Sequence, residues 1–184
     1  MKVALMLLIS FLYANIYCQI DNDSIIYWEK NILKWTDFKG EIPDSIGYQV
    51  ALSFIEFKTN AHWEQGMPEY QIFAVFNKYK SWSTDTSVAI LEHEQLHFDI
   101  SELYARKIRK AMFELREKAD TCVNDYMRAL TILVKECNET NEKYDTETAH
   151  GIYKKKQKEW DKKIAKRLYE LKHYKVNYSK YSTK

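Results

Sequence analysis

The alternation of apolar and polar residues predicts two strands in the first half of the chain. Residues 48–57 (YQVALSFIEF) and residues 70–76 (YQIFAVF) are rich in β-branched and aromatic side chains, which favour extended backbone. Residues 65–68 between them contain both a glycine and a proline, and this composition indicates a turn. We therefore expect a small antiparallel sheet in this half of the chain.

Apolar positions recur at helical spacing in the second half of the chain. The pattern predicts a long helix over residues 87–116 and a second helix over residues 122–136, followed by a polar connection over residues 138–146. A last helix is expected to begin at Ala149 or His150. Strands that precede helices predict an α+β fold, here a small antiparallel sheet followed by a helical part.

Length and composition favour a single domain. The chain has 184 residues, of which 46% are hydrophobic, so it can bury a sizeable core. It has only 4 glycines and 2 prolines, and long flexible linkers are therefore not expected. The 28 basic and 26 acidic side chains nearly balance, so bulk charge does not indicate a nucleic-acid partner.

The N-terminus has the pattern of a secretory signal peptide. Lys2 precedes a nearly uninterrupted apolar run from Val3 to Tyr13, which is too short for a transmembrane span. We expect a signal peptide over residues 1–18, with cleavage at Cys18–Gln19, and a mature domain over residues 19–184 without a transmembrane segment. The protein would then be secreted or periplasmic. A lipidated Cys18 is the alternative, and the large Tyr17 before it argues against this.

Two cysteines remain in the expected mature chain, Cys122 and Cys137. Export would permit a disulfide between them. If one straight helix carries both, they lie about 22 Å apart at a rise of about 1.5 Å per residue, which is too far for a bond. A disulfide therefore requires a turn between them, and the sequence leaves both outcomes open.

The HEQLH motif at residues 93–97 is the main candidate for chemistry. On a helix, His93 and His97 lie one turn apart on the same face, so both imidazoles can bind one zinc ion. Glu94 lies about 100° further round the helix, beside the metal rather than on it. It would take a proton from metal-bound water and pass it to a leaving group. We therefore predict Glu94 as the catalytic base.

A catalytic zinc usually has three protein ligands and one position for water, so a third ligand is needed. Asp99 and Glu102 point to other sides of a continuous helix, where they would either support the metal ligands through hydrogen bonds or tie this helix to its neighbours. His150, which a glycine follows in a polar segment, is the favoured third ligand. Asp145 or Glu147 is the fallback.

Tyr153 follows His150 by three residues. Its hydroxyl is a candidate for stabilising an oxyanion. The alternative is a packing role, because the chain contains 14 tyrosines.

Several segments together resemble a bacterial family described as predicted secreted zinc-dependent proteases, a domain of unknown function. They are LKWTDFKG (33–40), KSW (80–82), LEHEQLHFDISELYARKIR (91–109) and YDTETAHG (144–151), together with Gln157 and Trp160. The resemblance covers most of the expected mature chain, and the block after HEQLH is its most specific part. It implies a signal peptide, a zincin-like site and a role for His150 in that site. It implies no substrate.

The leading hypothesis is a secreted zinc-dependent hydrolase, a metallopeptidase acting on a peptide or protein substrate. One predicted strand would align that substrate by edge pairing. A first alternative is an exported, non-catalytic binding or structural module whose zinc stabilises the fold, which a closed site of four ligands would favour. A second alternative is a helical interaction protein without a metal. The sequence does not indicate an oligomeric state.

Overall fold

The computed structural model describes residues 24–28, 32–47 and 49–176, and within them the chain has an α+β fold, as predicted. The strands are β1 (Ile25–Tyr27), β2 (Ala51–Leu52), β3 (Ile55–Glu64), β4 (Met67–Asn77) and β5 (Trp82–Ser83). The helices are α1 (Val88–Glu117), α2 (Val123–Thr148) and α3 (Lys154–Glu170), with short 3-10 turns at Trp35–Asp37 and Lys172–Tyr174. The expected signal peptide over residues 1–18 and its Cys18–Gln19 junction lie outside the described residues.

The strands form two small antiparallel sheets. In the larger sheet, β4 lies between β1 and β3, and the β3–β4 hairpin pairs in register from Ile55–Phe76 to Glu64–Met67. In the smaller sheet, β2 pairs with β5 through Leu52 and Trp82. The predicted strand over residues 70–76 is therefore confirmed as part of the longer β4.

The strand predicted over residues 48–57 is interrupted, and this part of the prediction is wrong. Tyr48 lies outside the described residues, and the chain leaves β2 at Ser53 to enter the other sheet as β3. At the break, the backbone N–H of Phe54 donates to Ser81 Oγ over 2.9 Å instead of continuing a ladder. Local composition favours extended backbone on both sides of the break and cannot reveal a change of sheet.

Two apolar clusters hold the helices and the larger sheet together. In the first, the buried Phe76 of β4 packs with Phe98 and Ile108 of α1. The second joins all three helices and includes Ile100, Tyr144, Trp160 and Ile164. The long predicted helix over residues 87–116 is confirmed as α1, which is buried on two sides: Phe98 and Ile108 face the first cluster, and Ile100 faces the second. None of the helices in the described ranges combines the length and apolar composition needed to cross a membrane.

A buried ion cluster on α1 ties the sheet and the C-terminal region to this helix. Glu102 is fully buried, and its two carboxylate oxygens accept hydrogen bonds from Arg106 Nε at 2.8 Å and Arg109 Nη2 at 2.9 Å. Arg109 also donates to the carbonyl oxygen of Ile72 in β4, and Arg106 donates to that of Leu168 in α3. Removing one partner would leave a buried charge unpaired, so the cluster fixes α1 in place.

The second helix is longer than predicted. The polar connection predicted over residues 138–146 is wrong, because α2 continues through it to Thr148. The last helix begins at Lys154 rather than at Ala149 or His150, which instead form a turn with positive φ angles. The polar residues in question are helical because several of them face a polar site rather than solvent, as described below.

Continuity of α2 also decides the question of the two cysteines. Cys122 is the N-cap of α2 and is exposed, whereas Cys137 is buried within the same helix. No turn lies between them, and both are free thiols. Burial raises the pKa of the Cys137 thiol to about 11, so this group is protonated at neutral pH.

Candidate metal centre

The two histidines of the HEQLH motif point into one place from the first half of α1. The Nε2 atoms of His93 and His97 lie 3.2 Å apart, and their ring centroids are 4.8 Å apart. The side chains are 3% and 15% exposed, respectively. Spacing by one helical turn therefore brings both imidazoles to a shared, largely buried point, as the sequence predicts.

A carboxylate from α2 completes this arrangement. Asp145 Oδ1 lies 3.0 Å from His93 Nε2 and 2.9 Å from His97 Nε2. Asp145 was the fallback third ligand, and the continuous α2 carries it to the histidines. Three potential ligand atoms from two helices thus form a triangle with sides between 2.9 and 3.2 Å.

His150, the favoured third ligand, lies at the margin of this triangle. Its Nδ1 atom is 3.7 Å from Asp145 Oδ1, and its side chain is 56% exposed. His93, Asp145 and His150 nevertheless offer one ligand atom each within 4.8 Å of one another, so they could also hold a metal ion together. The geometry therefore brings His150 to the site, at a longer distance than Asp145.

Two side-chain amides fix the orientation of the histidine rings. His97 Nδ1 is 2.8 Å from Asn141 Oδ1, and the Asn141 amide nitrogen donates to the carbonyl oxygen of Cys137. His93 Nδ1 is 3.3 Å from Gln157 Oε1, and the Gln157 amide nitrogen donates to Asp161. Because each amide presents its oxygen, each Nδ1 must carry the proton. Both Nε2 atoms are then acceptors.

This orientation gives the site its chemical character. Two Nε2 lone pairs and a carboxylate oxygen converge at about 3 Å with no donor hydrogen between them, which is unfavourable unless a cation or a proton is present. Ligands about 2.0–2.1 Å from a tetrahedral zinc are separated by roughly 3.3 Å, close to the observed sides. Histidines that donate their other N–H to a fixed acceptor are typical metal ligands. The residues therefore fit a metal ion.

The ionisable groups of the site shift one another's pKa values. Burial disfavours the charged form of His97, but the hydrogen bond and charge of Asp145, with the charge of Glu94, outweigh it and raise the His97 pKa. Burial likewise opposes the charge of Asp145, yet hydrogen bonds and charges from both histidines hold the pKa of this carboxyl well below its usual range. The carboxylate is thus ionised at neutral pH, as a metal ligand must be.

A tight turn after α2 presses against the site. Ala149, His150 and Gly151 have φ angles of 47°, 53° and 85°, three left-handed residues in succession. A Cβ atom on Gly151 would lie 3.0 Å from His93 Cβ and 3.1 Å from His93 Cγ. Glycine is therefore required both by the backbone angle and by close packing on the imidazole.

Tyr144 is a residue of the site that the sequence did not single out. It is fully buried, and its ring stacks on that of His93 with 4.6 Å between centroids. Its hydroxyl donates to Gln157 Oε1 over 2.6 Å and lies 3.2 Å from the backbone oxygen of His93. Burial raises the pKa of Tyr144 beyond the physiological range, so the hydroxyl stays neutral. The signal that could have revealed this residue is the helical spacing of Cys137, Asn141, Tyr144 and Asp145.

Glu94 and the metal-ligand candidates line one cavity of about 230 Å³. Glu94 is 5% exposed, and its charge acts on both His97 and Tyr144. The segment that contains β2 also lines this cavity, with Val50 and Ile55 among its apolar residues. A molecule in this cavity would therefore contact the carboxylate, the converging lone pairs and a strand.

Other candidates lie elsewhere. Glu147 accepts a hydrogen bond from the Trp160 indole. Tyr153, immediately before α3, is 59% exposed and is not among the residues that line the cavity. Asp99 accepts hydrogen bonds from Trp28 and Gln95, and burial raises its pKa. Asp99 and the buried Glu102 thus tie α1 to its neighbours, as expected, and the geometry gives Tyr153 no contact with the cavity.

Comparison with known proteins identifies a family. The sequence model of a family described as "Bacterial protein of unknown function (DUF922)" matches residues 56–151. The matched segment runs from β3 to Gly151, so it contains His93, Glu94, His97 and Asp145. No curated protein and no solved structure matches the chain.

Proposed function

The chain belongs to DUF922, a bacterial family of unknown function, and we propose from the site geometry that it is a zinc-dependent hydrolase of peptide bonds. Membership of this family does not itself indicate a reaction. The observation that carries this proposal is the convergence of His93 Nε2, His97 Nε2 and Asp145 Oδ1 in the cavity that Glu94 lines. Secretion would give such an enzyme peptide or protein substrates outside the cytoplasm.

His93, His97 and Asp145 would hold the ion. Two imidazole nitrogens and one carboxylate oxygen are a ligand set that suits zinc and leaves one position open. Bound zinc would act as a Lewis acid that polarises a carbonyl group and lowers the pKa of water. Asn141 and Gln157 would keep the two Nε2 lone pairs directed at the ion through the Nδ1 hydrogen bonds described above.

Glu94 would move the proton. A water molecule in the cavity would lose a proton to the Glu94 carboxylate as its oxygen attacks the carbonyl carbon of the substrate. Glu94 would then deliver that proton to the leaving nitrogen when the C–N bond breaks, so the carboxylate is restored. The low exposure of this side chain keeps its proton from exchanging freely with bulk water during the reaction.

The wall formed by β2 favours a peptide as the substrate. Within the described residues β2 pairs only with β5, and the segment around it lines the cavity. An extended peptide can therefore add to its second edge through backbone hydrogen bonds. The neighbouring Val50, Ile55 and Ile90 offer apolar contacts to one substrate side chain.

The test combines metal content with activity. We expect about one zinc per chain in protein purified without added metal, and cleavage of a quenched fluorescent peptide library. Glu94→Gln should keep the zinc and lose turnover by about 10²–10⁴-fold. Glu92→Gln is the matched control, because this exposed residue precedes the motif on the same helix. Full activity in Glu94→Gln, or protein free of zinc, would contradict the proposal.

A structural metal site is the second candidate, because His150 lies close enough to Asp145 to act as a fourth ligand. A closed site would stabilise the fold without catalysis. In that case chelation would unfold the protein, and no peptide in the library would be cleaved. A hydrolase would instead lose activity on chelation while its far-ultraviolet circular dichroism persists.

A further inference from the structure

We propose that His150 is a substrate-facing hydrogen-bond donor of this site and not a resident metal ligand, an inference that rests on the proposed hydrolase function. It would donate an imidazole N–H to the carbonyl oxygen of a bound peptide. A neutral imidazole has one N–H to donate, and this role requires no transfer of that proton.

The first argument is the support that each ring receives. His93 and His97 each have Nδ1 held by an amide oxygen, and ligating histidines almost always donate their second nitrogen in this way. Within the described ranges, no group lies within hydrogen-bonding distance of the His150 ring, whose nearest charged partner is Asp145 Oδ1 at 3.7 Å. His150 therefore lacks the fixed orientation of its two neighbours.

The second argument is accessibility. His150 is 56% exposed, whereas His93 and His97 are 3% and 15% exposed. The same His150 side chain lines the cavity that contains Glu94 and Asp145. A ring that is open to solvent at the margin of a cavity is available to an incoming molecule, and the buried pair is not.

The third argument is the conformation of the backbone at His150. The N–H of His150 donates to the carbonyl oxygen of Asp145 over 3.0 Å, and the next residue packs on the His93 ring. The left-handed φ angles of Ala149 and His150 are unfavourable for residues with a Cβ atom. Such strain is found where function needs a defined position. The backbone is thus fixed to the ligand helix while the side chain remains unbound.

His150 would also take the role that was predicted for Tyr153. The tyrosine is exposed and is not among the cavity-lining residues, whereas His150, three residues earlier, lines the cavity. Stabilisation of an oxyanion needs a donor close to where the negative charge develops. Of these two side chains, the described structure brings only His150 to that place.

The test separates ligation from substrate contact. Zinc affinity is measured by competition with a chromogenic chelator, and acetohydroxamate serves as a probe that binds zinc and presents a carbonyl oxygen. For His150→Ala we expect zinc affinity within about twofold of the parent. We expect acetohydroxamate to bind about tenfold more weakly, the contribution of one hydrogen bond. Peptide turnover should fall by about 10²-fold.

Three further variants serve as controls. His150→Asn keeps an N–H donor and should restore part of the acetohydroxamate affinity. Asp145→Ala should weaken zinc binding by at least about 10²-fold, as loss of a true ligand does. His62→Ala removes an exposed histidine of β3 and should change neither affinity.

Two results would overturn the inference: loss of zinc affinity in His150→Ala comparable to that in Asp145→Ala, or unchanged acetohydroxamate affinity in His150→Ala. Parent protein that binds zinc and acetohydroxamate but cleaves no peptide would refute the proposed function alone, because the binding measurements still decide the role of His150. Parent protein that binds no zinc would refute both.

Discussion

Substitution of Gln157 tests whether α3 takes part in the metal site. Its Oε1 atom accepts hydrogen bonds from two buried donors, the Tyr144 hydroxyl at 2.6 Å and His93 Nδ1 at 3.3 Å. Gln157→Leu keeps a similar volume but leaves His93 Nδ1 unpaired, whereas the Tyr144 hydroxyl can still donate to the backbone oxygen of His93 at 3.2 Å. An unsatisfied buried donor costs about 1–3 kcal/mol, so the free energy of unfolding should fall by about that amount. This is a substantial part of the roughly 5–15 kcal/mol that stabilises a domain.

The same substitution should weaken zinc binding by about 10–100-fold, because the His93 ring loses the contact that sets its tautomer. Urea denaturation of the metal-free protein measures the stability, and chelator competition measures the affinity. Lys158→Leu, at the next and exposed position of α3, is the matched control and should change stability by less than about 0.5 kcal/mol. Parent-like zinc affinity in a folded Gln157→Leu protein would refute the reasoning about tautomers.

Two further outcomes are expected. Gly151→Ala should weaken zinc binding, because its new Cβ would lie 3.0 Å from His93 Cβ. The matched control is Gly66→Ala, where φ is 76° and no atom lies within 4 Å of the new Cβ. This control should cost about 1–2 kcal/mol of stability and leave the zinc affinity unchanged. Equal zinc affinities in the two variants would contradict this. In the metal-free protein the raised pKa of His97 and the lowered pKa of Asp145 make their charged pair fully stabilising between about pH 3.8 and 6.5. The contribution of the charged pair is lost as pH rises through the raised His97 pKa. At lower pH, protons also compete with zinc for the ligand atoms. Calorimetry should therefore find a larger zinc-induced rise in melting temperature at pH 8 than at pH 6.

The sequence predicts those parts of the fold that depend on local periodicity. The helical spacing of apolar residues in α1 and the run of β-branched and aromatic residues in β4 are local signals of buried elements, so both elements are confirmed. The break between β2 and β3 depends on which sheet each segment joins, and no local pattern records that. The second half of α2 was missed for a different reason. Its polar residues resemble a loop because Asn141 and Asp145 face a polar site inside the protein.

The residues of the candidate site also differ in whether the sequence alone predicts their positions. His93, Glu94 and His97 come from one helical turn and a known motif, so their relative positions follow from helix geometry alone. Asp145 was only a fallback, because its approach to the histidines requires both an unbroken α2 and the packing of α2 on α1. Gln157 was not proposed for the site, since its contact with His93 depends on how α3 packs against the other helices.

The origin of the three ligand atoms on two helices bears on when the ion can be acquired. Asp145 is 52 positions from His93 along the chain, and the two meet only after α1 and α2 have packed together. An unfolded chain lacks this arrangement, so the site of three ligand atoms exists only once α1 and α2 have packed, and metal binding is coupled to that packing. Divalent metals compete for such ligands according to their intrinsic affinities and local availability. The metal supply of the compartment in which the chain folds, rather than that of the compartment in which it is synthesised, would therefore decide which ion it carries.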